Sequence, residues 1–292
     1  MQSYDLAETK SILINNFNNI FLVNIYKHKV CYNKDRKDEV LAAMTERKLL
    51  LIHSHDRTGG TTTNFTVPLG GYLNRVYSLA LASADMPNSF YNVSTYNNIL
   101  QLRHYTNQND ANPVNTYNIA VAVGAYSVVA FAAALQSAIN AATGQDYTVV
   151  ANTLTKKFTI TCVGVWFNFN VTNSSMRDII GCKTNSAPTH ILISDSLYDF
   201  RGVTTAFIYV SGNLQPFTIN QVGRLENILG KVQITSGFGT TVYYKASTEL
   251  EKFNFAPTNI STLNVSIRDV DGRILDNNNM DITMSIIVDM YK

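Results

Sequence analysis

His53 and His55, two histidines separated by one residue, are the side chains whose type and spacing most suggest chemistry. Residues i and i+2 of a β-strand point to the same side, so both imidazoles could reach one metal ion. A catalytic zinc ion normally has a third protein ligand and an open position. The other histidines are scattered along the chain without paired spacing: His28, His104 and His190.

The alternative interpretation of this stretch is the end of a β-strand and its turn. Asp56 could bond to the backbone of the turn, Arg57 could pair with a carboxylate, and Gly59 and Gly60 would let the chain reverse. Because no third ligand is evident, we expect the turn and predict no metal ligand in the chain.

A second stretch, DVDGRILDNNN at 269–279, suggests a calcium loop. An EF-hand loop needs glycine at its sixth position and glutamate at its twelfth, whereas Gly272 comes two residues too early and strands are predicted on both sides. We therefore expect a tight turn at Asp271-Gly272 and no calcium site.

Other catalytic signatures are missing from the sequence. The glycine pairs lack the lysine and the following helix of a phosphate-binding loop, and no GxSxG motif occurs. Cys162 lies in an apolar strand without a nearby histidine, and Trp166 is predicted to be a core residue. We predict no catalytic residue, no cofactor-binding residue and no cofactor, and therefore a protein that is not an enzyme.

The composition indicates what kind of surface the chain has. Of its 292 residues 46% are hydrophobic and only 15% are charged, so neutral Asn and Thr must cover much of the surface. A net charge of +2 is too small for the basic footprint of a nucleic-acid-binding protein. The three cysteines, Cys31, Cys162 and Cys182, form no CxxC pair and are expected to be reduced.

The periodicity of apolar residues divides the chain near residue 45. Leu13, Phe17, Ile20 and Phe21 have helical spacing, which predicts an N-terminal helical arm over 1–45. From 46 to 292 the pattern favours one mainly β domain, a jelly-roll sandwich. We expect strands at these positions: 48–55, 63–69, 74–86 with a bulge, 98–105, 115–123, 206–211, 228–234, 241–246, 262–270 and 281–291.

A segment of different character, at about 117–183, is predicted to be an α/β insertion. It contains a helix over 125–143 with Ser127 as N-cap and Gly144 at its end, then two strands. A short helix follows, with Ser174 or Ser175 as cap and Gly181 as its last residue.

Several stretches in this order resemble minor capsid and penton-type proteins of double-jelly-roll DNA viruses, which include virophages, Polinton-like viruses and nucleocytoplasmic large DNA viruses. The resemblance covers residues 49–292 and depends on the joint order of its elements, which begin with Ser54, Asp56-Arg57, Asn64-Phe65, Ser83-Ala84 and PNSFYNV (87–93). Further similar stretches are GAYSVVAFAAALQSAIN, KKFTI, DIIG, NILGKVQI, IRDVDGRILD and DITMSI. The arm 1–45 has no counterpart.

The resemblance implies a jelly-roll structural protein of the virion, a penton at the vertex or another minor capsid protein. It would associate with itself as a homopentamer and contact the major capsid protein and other minor capsid proteins, without a specific nucleic acid. We expect it in the capsid, and in the host cytoplasm or virus factory before assembly. The alternative is a spike or fibre module that binds a host receptor or glycan. What the arm contacts, a membrane included, stays open.

Overall fold

A computed structural model describes residues 45–214, 218–219, 225–246 and 252–292. The predicted helical arm lies outside the described residues, apart from Thr45. Residues 46–292 belong to one compact unit.

The unit is mainly β, with few helices. Its strands in chain order are β1 (Thr45–His53), β2 (Gly59–Thr61), β3 (Asn64–Pro87), β4 (Ile99–Tyr105), β5 (Asn115–Ala120), β6 (Thr148–Asn152), β7 (Lys157–Thr161), β8 (Trp166–Phe169), β9 (Ile191–Ile193), β10 (Thr205–Ser211), β11 (Thr218–Ile219), β12 (Leu225–Glu226), β13 (Ile228–Gln233), β14 (Thr241–Lys245), β15 (Phe253–Arg268) and β16 (Thr283–Tyr291). The α-helices of the described residues are α1 (Val128–Thr143) and α2 (Arg177–Ile180).

The largest sheet has eight strands; β3 pairs antiparallel with β2, β14, β15 and β16, and β10 does so with β13 and β15. The sheet is folded into two layers that share β3 and β15. One layer has the order β1, β16, second half of β3, and there β14 and the first part of β15 pair with successive stretches of β3. The other layer has the order β2, first half of β3, remainder of β15, β10, β13. Gly230 of β13 faces Leu81 of β3, where an added Cβ would come within 2.5 Å of the leucine side chain. The curled antiparallel layers are consistent with a jelly-roll-like fold. Their common core includes Phe65, Leu79, Leu81, Met86, Ile208, Leu229, Ile267 and Ile286.

The prediction of separate strands at 63–69 and 74–86 was wrong, because β3 is one continuous strand over Asn64–Pro87. Gly70 and Arg75 have positive φ angles of 69° and 53°, so the chain bends between the layers without leaving the sheet. The predicted bulge is confirmed, because the register between β16 and β3 shifts twice, beside Tyr77 and Ala82. β15 likewise begins nine residues earlier than the predicted start at 262, since its first part also pairs with β3.

A second hydrophobic core lies between β3 and β10 along the chain. It is built from α1 and two antiparallel sheets of three strands, in the orders β5-β4-β8 and β6-β7-β9. Its buried residues extend from Val93 to Leu192, a longer range than the segment 117–183, because β4 pairs with β5 and β8. The largest buried side chains here are Tyr147, Phe131, Phe158, Phe167 and Phe169.

The ends of α1 confirm the predicted caps. The Ser127 hydroxyl accepts a hydrogen bond from the Ala130 N–H, and Gly144 ends the helix with a left-handed φ of 67°. α2 ends at Gly181 as predicted, but neither serine caps it. Ser174 and Ser175 instead accept hydrogen bonds from the backbone at the start of β4. Within the described residues no helix is long and apolar enough to cross a membrane.

One end of the sandwich is closed by a buried polar cluster, which we call the Asn277 joint: Thr62, Thr63, Ser89, Leu275 and Asn277. The Asn277 side chain is fully buried; its Oδ1 accepts a hydrogen bond from Thr62 at 2.5 Å, and its Nδ2 donates to the Met280 carbonyl. Its backbone carbonyl accepts from the Ser89 hydroxyl at 2.5 Å, and Thr63 donates to the Leu275 carbonyl at 2.6 Å. These hydrogen bonds join three segments of the chain, at residues 62–63, 89 and 275–280.

We predict that Asn277→Ala lowers the free energy of unfolding by about 2 kcal/mol or more, because it leaves a buried donor or acceptor unsatisfied on each side. Urea denaturation of the full chain measures the change. Asn118→Ala is the matched control: Asn118 is exposed on β5, where it accepts a hydrogen bond from Gln101, and its loss should cost about 0.5 kcal/mol at most. Equal costs for both variants would contradict the assigned role of the joint.

Candidate functional site

The structure places a strand end and a turn at the two histidines. β1 ends at His53, and a single 3-10 turn follows over Ser54–Asp56, so His55 is no longer on the strand. The His53 Nδ1 accepts a hydrogen bond from the backbone N–H of His55 at 3.1 Å, and the ring centroids are 6.0 Å apart. The same-side geometry that would favour a shared metal ion is therefore not formed.

A carboxylate from a distant part of the chain contacts this turn. Asp281, which precedes β16, accepts a hydrogen bond from the buried Ser54 hydroxyl at 2.8 Å, and it lies 3.8 Å from both Arg57 and His55. Ser54 also accepts from the Ile282 N–H at 2.9 Å, so the turn is fastened to the start of β16. Among the described residues no group of three or more His, Cys, Asp or Glu could hold a metal ion.

The suspected calcium loop is a tight turn. Gly272 has a φ of 78°, and the Asp269 N–H donates to the Arg273 carbonyl at 2.9 Å. The Asp269 carboxylate accepts from the backbone of Asp271 and Arg273, and from the Arg273 Nε at 2.8 Å. Asp271 also bonds to the Arg273 guanidinium. The Arg273 guanidinium therefore pairs with the two carboxylates that a calcium ion would need.

A cleft of about 770 Å³ lies where the sandwich and the second core meet. Several of its charged groups are paired: Asp269 and Asp271 with Arg273, and Asp199 with the neighbouring Arg201 at 2.6 Å. Tyr96 is half exposed, and the Arg273 guanidinium lies 4.9 Å from its ring centre. The described lining offers hydroxyl, amide, carboxylate and aromatic groups to a ligand.

A buried polar pair in the second core was not predicted. His104 on β4 and Tyr147 before β6 form a 2.8 Å hydrogen bond between Nε2 and Oη. Burial lowers the pKa of His104; burial, with nearby Cys162, raises that of Tyr147. The two residues are 43 positions apart, and no sequence motif links them. Both side chains are almost fully buried, and the bond ties β4 to the residue before β6.

The cysteines and Trp166 were the remaining residues considered in the sequence. Cys162 and Cys182 are buried free thiols, and burial together with Asp195 raises the pKa of Cys182 to about 12, so its thiolate is not available near neutral pH. Cys31 lies outside the described residues. Trp166, predicted to be core, is only half buried; its ring packs on that of His190 at 4.0 Å.

Asp289 is the buried carboxylate of the sandwich, and it holds two cations. Arg47 of β1 donates to it at 2.7 Å, and the Lys252 ammonium lies 3.2 Å away. Burial alone would raise the pKa of Asp289, but the hydrogen bonds from Arg47 and Lys252 outweigh this effect and hold the pKa below its ordinary value. The group therefore links β1 and the segment before β15 to β16.

We predict that the chain purified without a histidine tag contains no stoichiometric metal, because the His53 Nδ1 bonds to the backbone and the described residues contain no group of three ligands arranged to hold a metal ion. Elemental analysis after dialysis against zinc is the measurement, with His55→Ala as comparison. One zinc per chain that is lost in His55→Ala would overturn the prediction and reopen the question of an enzyme.

We predict that the second core loses stability in acid. A histidine whose folded pKa is lowered binds fewer protons than the unfolded chain, so stability falls once the pH drops below the unfolded value of 6.5. The slope should approach about 1.4 kcal/mol per pH unit. Urea denaturation between about pH 7.5 and pH 5 should show the slope in the wild type and in the exposed-residue control His55→Gln, but a smaller one in His104→Gln. An unchanged slope in His104→Gln would assign the acid sensitivity to another group.

No protein-family model matches the chain, and no curated protein sequence matches it. Among solved structures the chain is similar to the crystal structure of the selenomethionine-labelled mavirus penton protein, with a TM-score of 0.48 and 13% sequence identity. The superposition covers 83% of this chain and 99% of the penton chain.

Proposed function

We propose that this chain is a structural protein of a virion, a penton at the vertex or another minor capsid protein. It acts by associating with copies of itself and by contacting the major capsid protein and other minor capsid proteins. The ordered sequence resemblance over residues 49–292 motivates the proposal. Under it the fold is a jelly-roll sandwich that carries an inserted α/β segment and an N-terminal helical arm.

The observation that carries the proposal is a strand that is apolar on both sides. Leu50 and Ile52 of β1 pack into the core of the sandwich, whereas Leu49 and Leu51 alternate with them and are 59% and 79% exposed. A strand with one solvated face normally places polar residues there. Large apolar side chains on the outer face of β1 are suited to contact with a neighbouring protein.

The positions that carry the resemblance support a structural role. Ser54 fastens the turn after β1 to β16, and Ser89, within PNSFYNV, belongs to the Asn277 joint. Asp269 organises the turn within IRDVDGRILD. These side chains shape loops at the edge of the sandwich, as expected of a scaffold.

The finer assignments follow from the resemblance. Five copies would form a closed ring, since penton-type proteins occupy fivefold vertices, and a closed ring satisfies every copy of a head-to-tail contact. The protein would reside in the capsid, after synthesis in the host cytoplasm or virus factory. The arm 1–45 would tie adjacent units together.

We predict that the recombinant chain forms a discrete oligomer, five copies in the penton case, and that Leu51→Glu shifts it towards monomer. A carboxylate at that position would be buried against the neighbour without a partner. Native mass spectrometry over a range of concentrations measures the stoichiometry, and thermal unfolding should be unchanged. Val270→Glu, at a residue 69% exposed in the 269–273 turn, is the control and should associate normally.

Imaging of purified particles locates the chain. Density at the fivefold vertices supports a penton, and density between capsomers supports a cementing protein. Absence of the chain from particles would refute the proposal. Particles that assemble normally without the chain but no longer attach to host cells would favour the spike or glycan-binding alternative.

A further inference from the structure

Arg103 is an arginine whose side chain has no partner among the described residues. Its guanidinium forms no hydrogen bond, ion pair or ring contact with them, and its Nε is buried without an acceptor. A cationic donor that is removed from water and left without an acceptor is unfavourable. Each of the other described arginines contacts a carboxylate, a carbonyl or an aromatic ring: Arg47, Arg57, Arg75, Arg177, Arg201, Arg268 and Arg273.

Arg103 lies in the middle of the sheet β5-β4-β8, on the side that faces away from the second core. Its neighbours on β4, Leu102 and His104, are buried on the inner side, so strand alternation directs Arg103 outward. In the register it lies opposite Thr116 of β5 and Asn168 of β8. We call this outer side the Arg103 face, and its residues are Gln101, Arg103, Tyr105, Thr116, Asn118 and Asn168.

The other residues of the Arg103 face are neutral, and several are fixed by hydrogen bonds between amides. The Gln101 Nε2 donates to the Asn118 Oδ1 at 2.9 Å, and the Gln101 Oε1 accepts from the Asn170 Nδ2 at 2.5 Å. None of these groups supplies a negative charge. The sheet around Arg103 therefore leaves its positive charge unbalanced.

The Arg103 face is open on its β5 side and covered on its β8 side. Thr116 and Asn118 are exposed, whereas Asn168 is buried and donates to the Ser186 carbonyl at 2.9 Å. Arg103 lies between them and is partly buried. Since the Thr116 hydroxyl and the Asn118 Nδ2 bond to no other described residue, they and the guanidinium can bind a ligand that arrives from solvent.

We propose that the Arg103 face binds an acidic sugar, whose carboxylate lies on the Arg103 guanidinium and whose neighbouring hydroxyls contact Thr116 and Asn118. A guanidinium presents two parallel N–H groups in one plane, which fit the two oxygens of a carboxylate. Sugar hydroxyls donate and accept hydrogen bonds, and the Thr116 hydroxyl and the Asn118 amide offer both kinds of partner. The inference adds a ligand to the proposed structural role and does not depend on self-association.

The single charge and the polar surroundings distinguish this ligand from other anions. A nucleic acid is bound by several lysines and arginines, whereas the Arg103 face has one cation. The centre of an interface with a protein is enriched in aromatic and apolar side chains, whereas the exposed residues beside Arg103 are Thr116 and Asn118. The free groups therefore match a small molecule with one carboxylate and several hydroxyls.

The open geometry predicts weak binding by a single chain. The outer side of a sheet encloses little of a ligand, so we expect a dissociation constant of the order of 1 mM. Under the proposed virion role, one particle carries many copies of the site. Repetition raises the avidity for a surface that displays many acidic sugars by about 100-fold or more, so the site would hold a particle on such a surface.

Saturation-transfer NMR on the full chain tests the proposal with glucuronic acid and N-acetylneuraminic acid as probes and glucose as the neutral comparison. Both acids should bind and glucose should not. Arg103→Gln should bind the acids about 10-fold more weakly or worse, because it loses the charge and the paired donors. Arg177→Gln is the matched control: it removes the same charge from a half-exposed arginine on α2 and should bind as the wild type does.

A second pair of variants keeps the test valid if Arg103→Gln does not fold, which thermal unfolding checks. Thr116→Glu places a carboxylate of the same chain opposite Arg103, so it should abolish acid binding without lowering Tm, whereas Thr116→Gln should retain more of the binding.

Several results would refute the acidic-sugar site: no acid binding at about 50 mM, equal binding of glucose, or unchanged binding by folded Arg103→Gln or Thr116→Glu. Acetate or a glutamate-rich peptide that binds as tightly as the acidic sugars shows recognition of a carboxylate alone and refutes the sugar ligand. The virion role is decided separately, by the presence of the chain in purified particles.

Discussion

The constraint on which the rest of the structure depends is that the polar groups at the closed end of the sandwich must find partners away from water. Asn277 meets it by joining the passage before β3, the passage after β3 and the passage before β16. A buried donor or acceptor without a partner costs about 1–3 kcal/mol, so these passages have little freedom to move apart. Because Ser89 stands where the chain leaves the sandwich for the second core, the joint also sets the direction in which that core begins. The side chain and carbonyl of Asn277 thus hold three distant parts of the chain together.

Both hydrophobic cores are closely packed by residues of the same chain. The apolar side chains that remain exposed are therefore the ones that could contact other proteins. The sandwich closes over Leu81 because β13 carries Gly230, whose missing side chain lets the layers approach each other. The second core closes over Phe131 and Phe158, whose rings pack edge to face with centroids 6.0 Å apart. Apolar residues that remain outside, such as Leu51 and Ile193, cannot be accommodated by either core. Their exposure has a physical explanation if other chains cover them, as the proposed capsid role requires.

The helix caps and most strands could be predicted because they depend on residues that are neighbours in the sequence. The caps of α1 follow from a serine and a glycine in sequence next to the helix, and the strands follow from alternation of period two. The continuity of β3 was missed because glycines usually mark a turn, whereas Gly70 here supports a bend within the sheet. The assignment of Ser174 as a cap was wrong since its hydroxyl is used by β4, 73 residues away along the chain. Pairs such as His104 with Tyr147 depend on the packing of distant strands, and no local pattern indicates them.

The scarcity of charge has a consequence for how such a chain would associate. In the described residues the arginines and lysines near the cleft and the sandwich edge are largely engaged by carboxylates of the same chain, as with Arg273 and Arg201. Charges that are already paired contribute little to long-range attraction, so encounters between copies would not be steered strongly. The specificity of the proposed contacts must then come from shape and from the packing of exposed apolar side chains such as Leu49 and Leu51 of β1. Contacts of this kind are individually weak, and a closed ring is a physical means by which weak identical contacts reinforce one another, since no copy can leave without breaking two of them.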